Sequence, residues 1–238
     1  MKWKTSPLVI AHRGDTKAGV ENTLSAVESA MRLGVDGIEV DLQITRDDKI
    51  VVFHDEDLQR IHGSPLTIRD SLLSEIRKAE RKEAPLPTLE DLLDLVRDRV
   101  LLNLELKTLC YFEKRLEVKV AEILKSFSFP DALVISSFNM IALWRFHRMA
   151  PALKQGYLFQ DKPWLHRVLI PVLNPYSINT PLSYVSQVLS ERTHRAGRKF
   201  FVWTVNHEND MELCLKHGAD GIITDEPAKL IALLQKNK

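Results

Sequence analysis

The sequence GIEVDL at residues 37–42 decides the fold prediction, because it is a short apolar run bounded by turn-forming residues. Runs of this length and composition are typical of buried strands. Similar runs occur at residues 8–12, 101–106, 133–137, 154–159, 176–180, 200–205 and 221–224. Longer segments with helical spacing separate them, for example residues 22–33 and 182–195. This alternation predicts a parallel sheet, and eight strand–helix units in 238 residues favour a closed barrel over a doubly wound sheet.

One segment, residues 43–87, breaks the alternation. It holds an additional strand-like run, Ile50–His54, followed by a polar stretch with several prolines. We interpret it as a hairpin followed by a small insertion after strand two. If the hairpin turns symmetrically at Asp47 and Asp48, Asp41 lies opposite His54. The prediction is one domain over residues 1–238, a (β/α)8 TIM barrel of the α/β class with this insertion.

The composition is that of an ordinary globular protein, with 45% hydrophobic and 27% charged residues. The formal net charge of +1 lacks the basic excess typical of nucleic-acid binders. Apolar runs are too short for a secretory signal or a membrane-spanning helix, and Cys110 and Cys214 are predicted to be reduced thiols. We therefore expect a cytoplasmic protein with no nucleic-acid partner and no stable membrane insertion. The sequence leaves the oligomeric state open.

Polar residues collect at the carboxyl ends of the predicted strands, where β/α barrels carry their catalytic groups. Glu39 and Asp41 are two residues apart and so share one face of a strand, and the same rule places Asn103, Glu105 and Lys107 on one face of the next parallel strand. Three carboxylates without a Cys/His ligand set indicate a hard divalent cation, Mg²⁺ or Ca²⁺. The alternative is a structural ion-pair network in which Lys107 bridges the acids.

Two histidines, His12 and His54, lie at strand ends near these acids. Imidazole groups in such a place suit general acid–base chemistry near neutral pH, whereas a lone histidine at a strand end can also be merely solvated. Arg13 and Lys107 carry donors suited to phosphate oxygens. Strand alternation points Arg13 away from His12, so both can face one site only if the pleat relaxes at the strand end.

A series of short motifs runs through almost the whole chain in a fixed order. They are HRG at 12–14, ENT at 21–23, IEVDL at 38–42, VVFHD at 51–55, LPTLE at 86–90, LELK at 104–107, SSF at 136–138, WTVN at 203–206 and GADGIITDEP at 218–227. Each motif alone is weak, but the ordered set resembles the glycerophosphodiester phosphodiesterase family, and in particular its cytosolic members. The stretch after His54 departs from the family pattern, because residues 60–65 are short where the family carries a longer insert. That departure affects the predicted contacts to the alcohol side of a substrate.

The resemblance implies a barrel enzyme that hydrolyses glycerophosphodiesters to sn-glycerol 3-phosphate and an alcohol. It implies these roles: an acid–base pair, His12 and His54; metal ligands, Glu39, Asp41 and Glu105; phosphate-binding residues, Arg13 and Lys107; and a pocket-lining residue, Trp203. The cofactor implied is one divalent cation.

Two other functions stay open from the sequence alone. One is a phosphodiesterase acting on lysophospholipids with the same residues, and the other is a non-catalytic barrel that binds a glycerophosphodiester. An apolar segment after strand five, with Leu165, Val168 and Leu169 at helical spacing, is relevant to the lysophospholipid alternative. It is either a short helix packed on the barrel or a lip that contacts the substrate.

Overall fold

The computed structural model describes residues 7–108, 113–126, 130–160, 170–171 and 173–236. The strands are β1 (Leu8–His12), β2 (Gly37–Ile44), β3 (Ile50–Val52), β4 (Leu101–Leu106), β5 (Leu133–Ser137), β6 (Lys154–Leu158), β7 (Ser177–Pro181), β8 (Lys199–Trp203) and β9 (Gly221–Thr224). The helices are α1 (Leu24–Leu33), α2 (Gln59–His62), α3 (Leu73–Ala79), α4 (Leu89–Val96), α5 (Arg115–Lys125), α6 (Met140–Met149), α7 (Gln187–Arg195), α8 (Glu208–Lys216) and α9 (Pro227–Lys236). Short 3-10 turns occur at Pro130–Ala132 and Leu182–Tyr184.

Eight parallel strands form a closed ring. Their order is β1-β9-β8-β7-β6-β5-β4-β2, and pairing of β1 with β2 completes the circle. The helices given above connect the successive strands of the ring apart from β6 and β7, whose connection is only partly described, and the predicted (β/α)8 TIM barrel is confirmed. All eight predicted strands are present, with ends shifted by at most a few residues.

The hairpin of β2 and β3 is antiparallel, but its predicted register is wrong by one residue. Leu42 pairs with Val52 and Ile44 with Ile50, so Asp41 faces Phe53, whose N–H donates to the Asp41 carbonyl at 2.9 Å. The reason is the loop, which closes with a hydrogen bond from Thr45 N–H to the Lys49 carbonyl at 2.9 Å. This leaves three residues in the loop, and the last of them is left-handed, the usual form of a three-residue hairpin.

His54 lies beyond the last paired residue of β3, so strand alternation does not fix its direction. Between β3 and β4 the chain forms α2, α3 and α4. Residues of this segment and of β3 pack into a small apolar cluster of their own, Val51, Phe53, Leu58, Ile68, Ile76 and Leu86. The cluster anchors the stretch that carries His54 against the side of the barrel.

Alternation along the strands separates the core into two layers. On β1, Val9 packs into the large cluster between strands and helices, whereas Leu8 and Ile10 belong to a smaller cluster with Phe201 and Ile223. On β2, Ile38, Val40 and Leu42 all belong to the large outer cluster. The residues between them, including Glu39 and Asp41, therefore face the barrel interior.

Some predictions concern residues outside the described part of the chain. Leu165, Val168 and Leu169 of the apolar segment lie there, and so does Cys110. Cys214 is buried and unpaired with another cysteine, and burial raises the pKa of its thiol to about 12. Among the helices that are described, none is both long and apolar enough to cross a membrane.

Gly14 supports a prediction about stability, because it follows His12 and Arg13 at the end of β1. It has φ of +89°, and a Cβ atom there would lie 2.7 Å from the Ala26 backbone carbon. Gly63 has φ of +72° but nothing within 4 Å of such a Cβ, which makes it a matched control. Gly63→Ala should cost only the conformational term of about 1–2 kcal/mol.

Gly14→Ala should lower the free energy of unfolding by that amount plus about 1–3 kcal/mol of overpacking against α1. Urea unfolding of the two variants and the parent measures the difference. Equal losses for the two glycines would contradict the close approach of β1 to α1.

Candidate active site

Three carboxylates converge at the carboxyl ends of β2 and β4. The register pairs Asp41 with Glu105, and one oxygen each of Glu39, Asp41 and Glu105 lies within 4.8 Å of the others. All three side chains are buried, with exposures of 4%, 1% and 8%. The predicted ligand set is therefore assembled in space, and its members could hold one cation.

The cluster is electrostatically strained. Burial, followed by the charges of Asp41 and Glu105, raises the pKa of Glu39 well above its usual value. Burial and the charge of Asp41 raise the pKa of Glu105 to about 7. Burial also acts to raise the pKa of Asp41, but Arg13, Lys107 and His54 outweigh it and the net pKa is lowered. Ionising all three carboxyl groups together is therefore unfavourable unless further positive charge is brought to the cluster.

Two cations lie against the cluster. Lys107 Nζ is 3.0 Å from Glu105 Oε1 and 3.6 Å from Asp41 Oδ1, so Lys107 does bridge two of the acids. Arg13 Nε is 3.0 Å from Asp41 Oδ2. Two cations against three carboxylates leave a negative excess, and within the described residues Glu39 Oε2 accepts no hydrogen bond. The ion pairs therefore do not exhaust the cluster's capacity for a cation.

The chain turns sharply after His12, and this brings Arg13 into the site. Arg13 has φ of +58°, and its N–H donates to the Glu39 carbonyl at 2.7 Å. The left-handed conformation reverses the alternation of β1. His12 and Arg13 consequently line the same cavity, as the sequence required for a shared site.

His12 is held by a carboxylate from the opposite end of the chain. Its Nδ1 lies 2.7 Å from Asp225 Oδ1, and its Nε2 lies 3.8 Å from Glu39 Oε2. Asn206 fixes Asp225 in turn, since Asn206 Nδ2 donates to Asp225 Oδ2 at 2.7 Å and Asp225 N–H donates to Asn206 Oδ1 at 2.9 Å. Burial acts to raise the pKa of Asp225, but hydrogen bonds from His12 and Asn206 lower it overall.

His54 is held by a chain of ion pairs. Its Nδ1 lies 2.7 Å from Asp55 Oδ1, and Asp55 Oδ2 accepts from Arg60 Nε at 2.6 Å. Arg60 donates twice to Glu21, at 2.6 and 3.0 Å, and Glu21 accepts from Arg13 Nη1 at 2.8 Å. Through Arg13 this chain reaches the acidic cluster.

Sequence reasoning assigned no role to several residues that position the site. They are Glu21, Asn22, Asp55, Arg60, Asn206 and Asp225. Asn22 Nδ2, for example, donates to Asp41 Oδ2 at 2.9 Å. Apart from Arg60, each belongs to one of the ordered motifs, which is the one signal that could have found them. Their pairings join distant segments, and His12 and Asp225 are 213 residues apart.

These groups surround one cavity of about 230 Å³ at the barrel mouth. Of the predicted site residues, seven line it: His12, Arg13, Glu39, His54, Glu105, Lys107 and Trp203. Asp41 lies buried beside them. Trp203 packs edge-on against Phe138 at 5.4 Å and donates its indole N–H to the Asn179 carbonyl at 3.1 Å. The opening is therefore charged on one side and aromatic on the other.

Fold and site together define a β/α-barrel protein with a cation-competent acidic site at the carboxyl ends of its strands. The model of the glycerophosphoryl diester phosphodiesterase family matches residues 12–229. A glycerophosphodiester phosphodiesterase of Caldanaerobacter subterraneus subsp. tengcongensis is 39% identical over 241 residues, which cover 96% of this chain and 98% of the relative. The chain belongs to the glycerophosphodiester phosphodiesterase family.

Solved structures agree with this assignment. A phosphodiesterase from Oleispira antarctica, in complex with the product sn-glycerol 3-phosphate, superposes with a TM-score of 0.90 at 27% identity, covering 96% of this chain and 97% of its own. A glycerophosphodiester phosphodiesterase from Thermotoga maritima gives a TM-score of 0.82 at 28% identity, covering 97% of this chain and 100% of its own.

The raised pKa of Glu105 predicts proton release on cation binding. Below a pKa of about 7 this carboxyl holds a proton, and a divalent cation binds the deprotonated form. Affinity for Mg²⁺ or Ca²⁺ should therefore fall as the pH drops through 7. Calorimetric titration in two buffers with different ionisation enthalpies measures the released protons.

Glu105→Gln serves as the control, because it removes one titrating ligand and should reduce the release per ion bound. A binding heat that does not depend on the buffer would contradict the prediction.

Proposed function

We propose that this chain is a metal-dependent phosphodiesterase that hydrolyses glycerophosphodiesters to sn-glycerol 3-phosphate and an alcohol. The observation that carries the proposal is the joint placement of two carboxylate-supported imidazoles, two cations and three converging carboxylates around one cavity. Family membership and the product named for the Oleispira antarctica structure support the substrate class. The proposal treats residues 1–238 as one domain, because the described strands form a single ring.

Glu39, Asp41 and Glu105 would hold one Mg²⁺ or Ca²⁺. One oxygen from each carboxylate lies within 4.8 Å of the others, which is close enough for all three to approach one ion. The unpartnered Glu39 Oε2 and the all-oxygen donor set fit it as well. When bound, the ion supplies Lewis-acid polarisation of a phosphoryl oxygen.

Arg13 and Lys107 would bind the phosphate. Both line the cavity, and both carry donors next to the acidic cluster rather than out in solvent. Fixed donors in a partly buried site stabilise the negative charge that develops on a phosphoryl group without reorganising during the reaction.

His12 and His54 would act as the acid–base pair. Each Nδ1 is bonded to an aspartate, which holds the ring and leaves Nε2 to exchange a proton in the cavity. One histidine would take a proton from the nucleophile, either water or the glycerol 2-hydroxyl. The other would give a proton to the leaving alkoxide.

The direct test is release of glycerol 3-phosphate from glycerophosphocholine, followed by a coupled enzyme. We expect turnover that chelation abolishes and that Mg²⁺ or Ca²⁺ restores. Lysophosphatidylcholine, assayed in parallel, tests the alternative lipid substrate, for which Phe138 and Trp203 at the mouth offer an apolar contact. Full turnover in a chelator-stripped sample would contradict metal dependence, and no turnover of any glycerophosphodiester would contradict the substrate class.

The histidine pair is predicted to contribute to catalysis and not to folding. His12→Ala and His54→Ala should each lower kcat by roughly 10²–10⁴-fold, the usual size of a general acid–base contribution. His194→Ala is a matched control, because His194 also pairs with an aspartate, Asp220, at 2.7 Å. Asp220 precedes β9 at the opposite end of the barrel, so this variant should keep the parent kcat.

Steady-state kinetics and thermal unfolding of the three variants separate the two roles. A normal kcat in His12→Ala or His54→Ala, or an equal loss in His194→Ala, would overturn the assignment.

A further inference from the structure

Asn103 lies at the floor of the cavity. It sits on β4 in register with Glu39, two residues before Glu105 and four before Lys107. Its side chain lines the cavity although only 4% of the residue is exposed. Neither Oδ1 nor Nδ2 of Asn103 has a hydrogen-bond partner among the described residues.

An unpartnered buried amide is costly, because it gives up its hydrogen bonds to water and regains none. Leu102 and Leu104, its neighbours along β4, pack into the outer core on the opposite face of the strand and offer the amide no partner. The amide is therefore best explained by a partner that enters from the cavity.

The floor has a defined hydrogen-bonding character. Asn103 offers a donor, Nδ2, and an acceptor, Oδ1, and neither atom has a partner in the described chain. A phosphate only accepts hydrogen bonds and could use Nδ2 alone, whereas a hydroxyl group both donates and accepts and could use either atom. The floor thus matches a neutral polyol rather than an anion.

The rest of the cavity suits the remainder of such a ligand. Arg13 and Lys107 place positive charge nearer the rim, because they follow the last residues of β1 and β4 whereas Asn103 lies within β4. Leu158 and Ile223 add apolar side chains to the lining, against which carbon atoms can pack. A phosphate held by the cations can direct a short carbon chain with hydroxyls toward the floor.

We propose that Asn103 is a specificity-determining residue that binds a hydroxyl of the substrate's glycerol moiety. The inference rests on the proposed function, since it takes the ligand to be a glycerophosphodiester. According to this inference, the floor of the cavity selects glycerol over other alcohols, and different residues, nearer the rim, bind the phosphate.

Binding of two phosphomonoesters tests the inference without requiring turnover. sn-Glycerol 3-phosphate and propyl phosphate share the phosphate and the three-carbon chain and differ in two hydroxyls. Calorimetry with Mg²⁺ present should show that the parent binds glycerol 3-phosphate at least about tenfold more tightly, roughly the effect of two net hydrogen bonds.

Asn103→Leu should bring the two affinities to within about threefold, mostly by weakening glycerol 3-phosphate, because one of these bonds is lost. Asn103→Ala is the second variant in case the first does not fold. Ser136→Ala is the matched control, because its buried hydroxyl has no partner in the described chain and does not line the cavity. It should keep the parent's preference.

Three results would overturn the inference. They are a parent that does not discriminate, an Asn103 variant with the parent's preference, or an Asn103 variant that needs far more Mg²⁺, which would make Asn103 a metal ligand. Failure of the proposed function looks different, since glycerophosphocholine would then not be turned over at all. If glycerophosphocholine is turned over and any of the three results is also found, the inference about Asn103 is wrong but the proposed function stands.

Discussion

The crowding of three buried carboxylates within 4.8 Å is the constraint on which the rest of the site depends. Such a cluster is unfavourable unless opposite charge and hydrogen bonds offset its repulsion and desolvation. Arg13, Lys107 and Asn22 do so for Asp41 but leave the pKa values of Glu39 and Glu105 raised. The charge that Arg13 and Lys107 do not offset when all three carboxylates are ionised is what would favour a divalent cation there.

The rings of the two histidines are held in place by different means. His12 is the last residue of β1, so the parallel ladder sets its backbone, and a carboxylate held by the neutral amide of Asn206 suffices to orient its ring. His54 lies past the end of β3, where no ladder holds it. Its position depends on the ion pairs through Asp55 and Arg60, which continue to the acidic cluster. A side chain outside the sheet needs this extra network because loops alone position groups poorly.

The fold and the grouping of Glu39, Asp41 and Glu105 could be predicted because both follow from local periodicity. In a run such as residues 37–42, the alternation of residue types shows which side chains share a face of the strand, and Glu39 and Asp41 share one. The hairpin register could not be predicted from the same alternation, because it depended on a left-handed residue, Asp48, in the loop. The pairing of His12 with Asp225 was also out of reach, since only closure of the barrel brings β1 beside β9. Periodicity shows on which face of a strand a side chain lies, whereas the loop conformation and the closure of the barrel decide which other residues it contacts.

A barrel that only bound glycerophosphodiesters would not need this arrangement. Binding a phosphate calls for cations such as Arg13 and Lys107, and binding glycerol calls for neutral donors and acceptors. Neither task requires two imidazoles that are each tied through Nδ1 to an aspartate of their own, as Asp225 and Asp55 hold His12 and His54. Groups held in this way are suited to moving protons at Nε2. The geometry of the histidines therefore favours an enzyme over a sensor more strongly than the acidic cluster does, because a cation could serve either role.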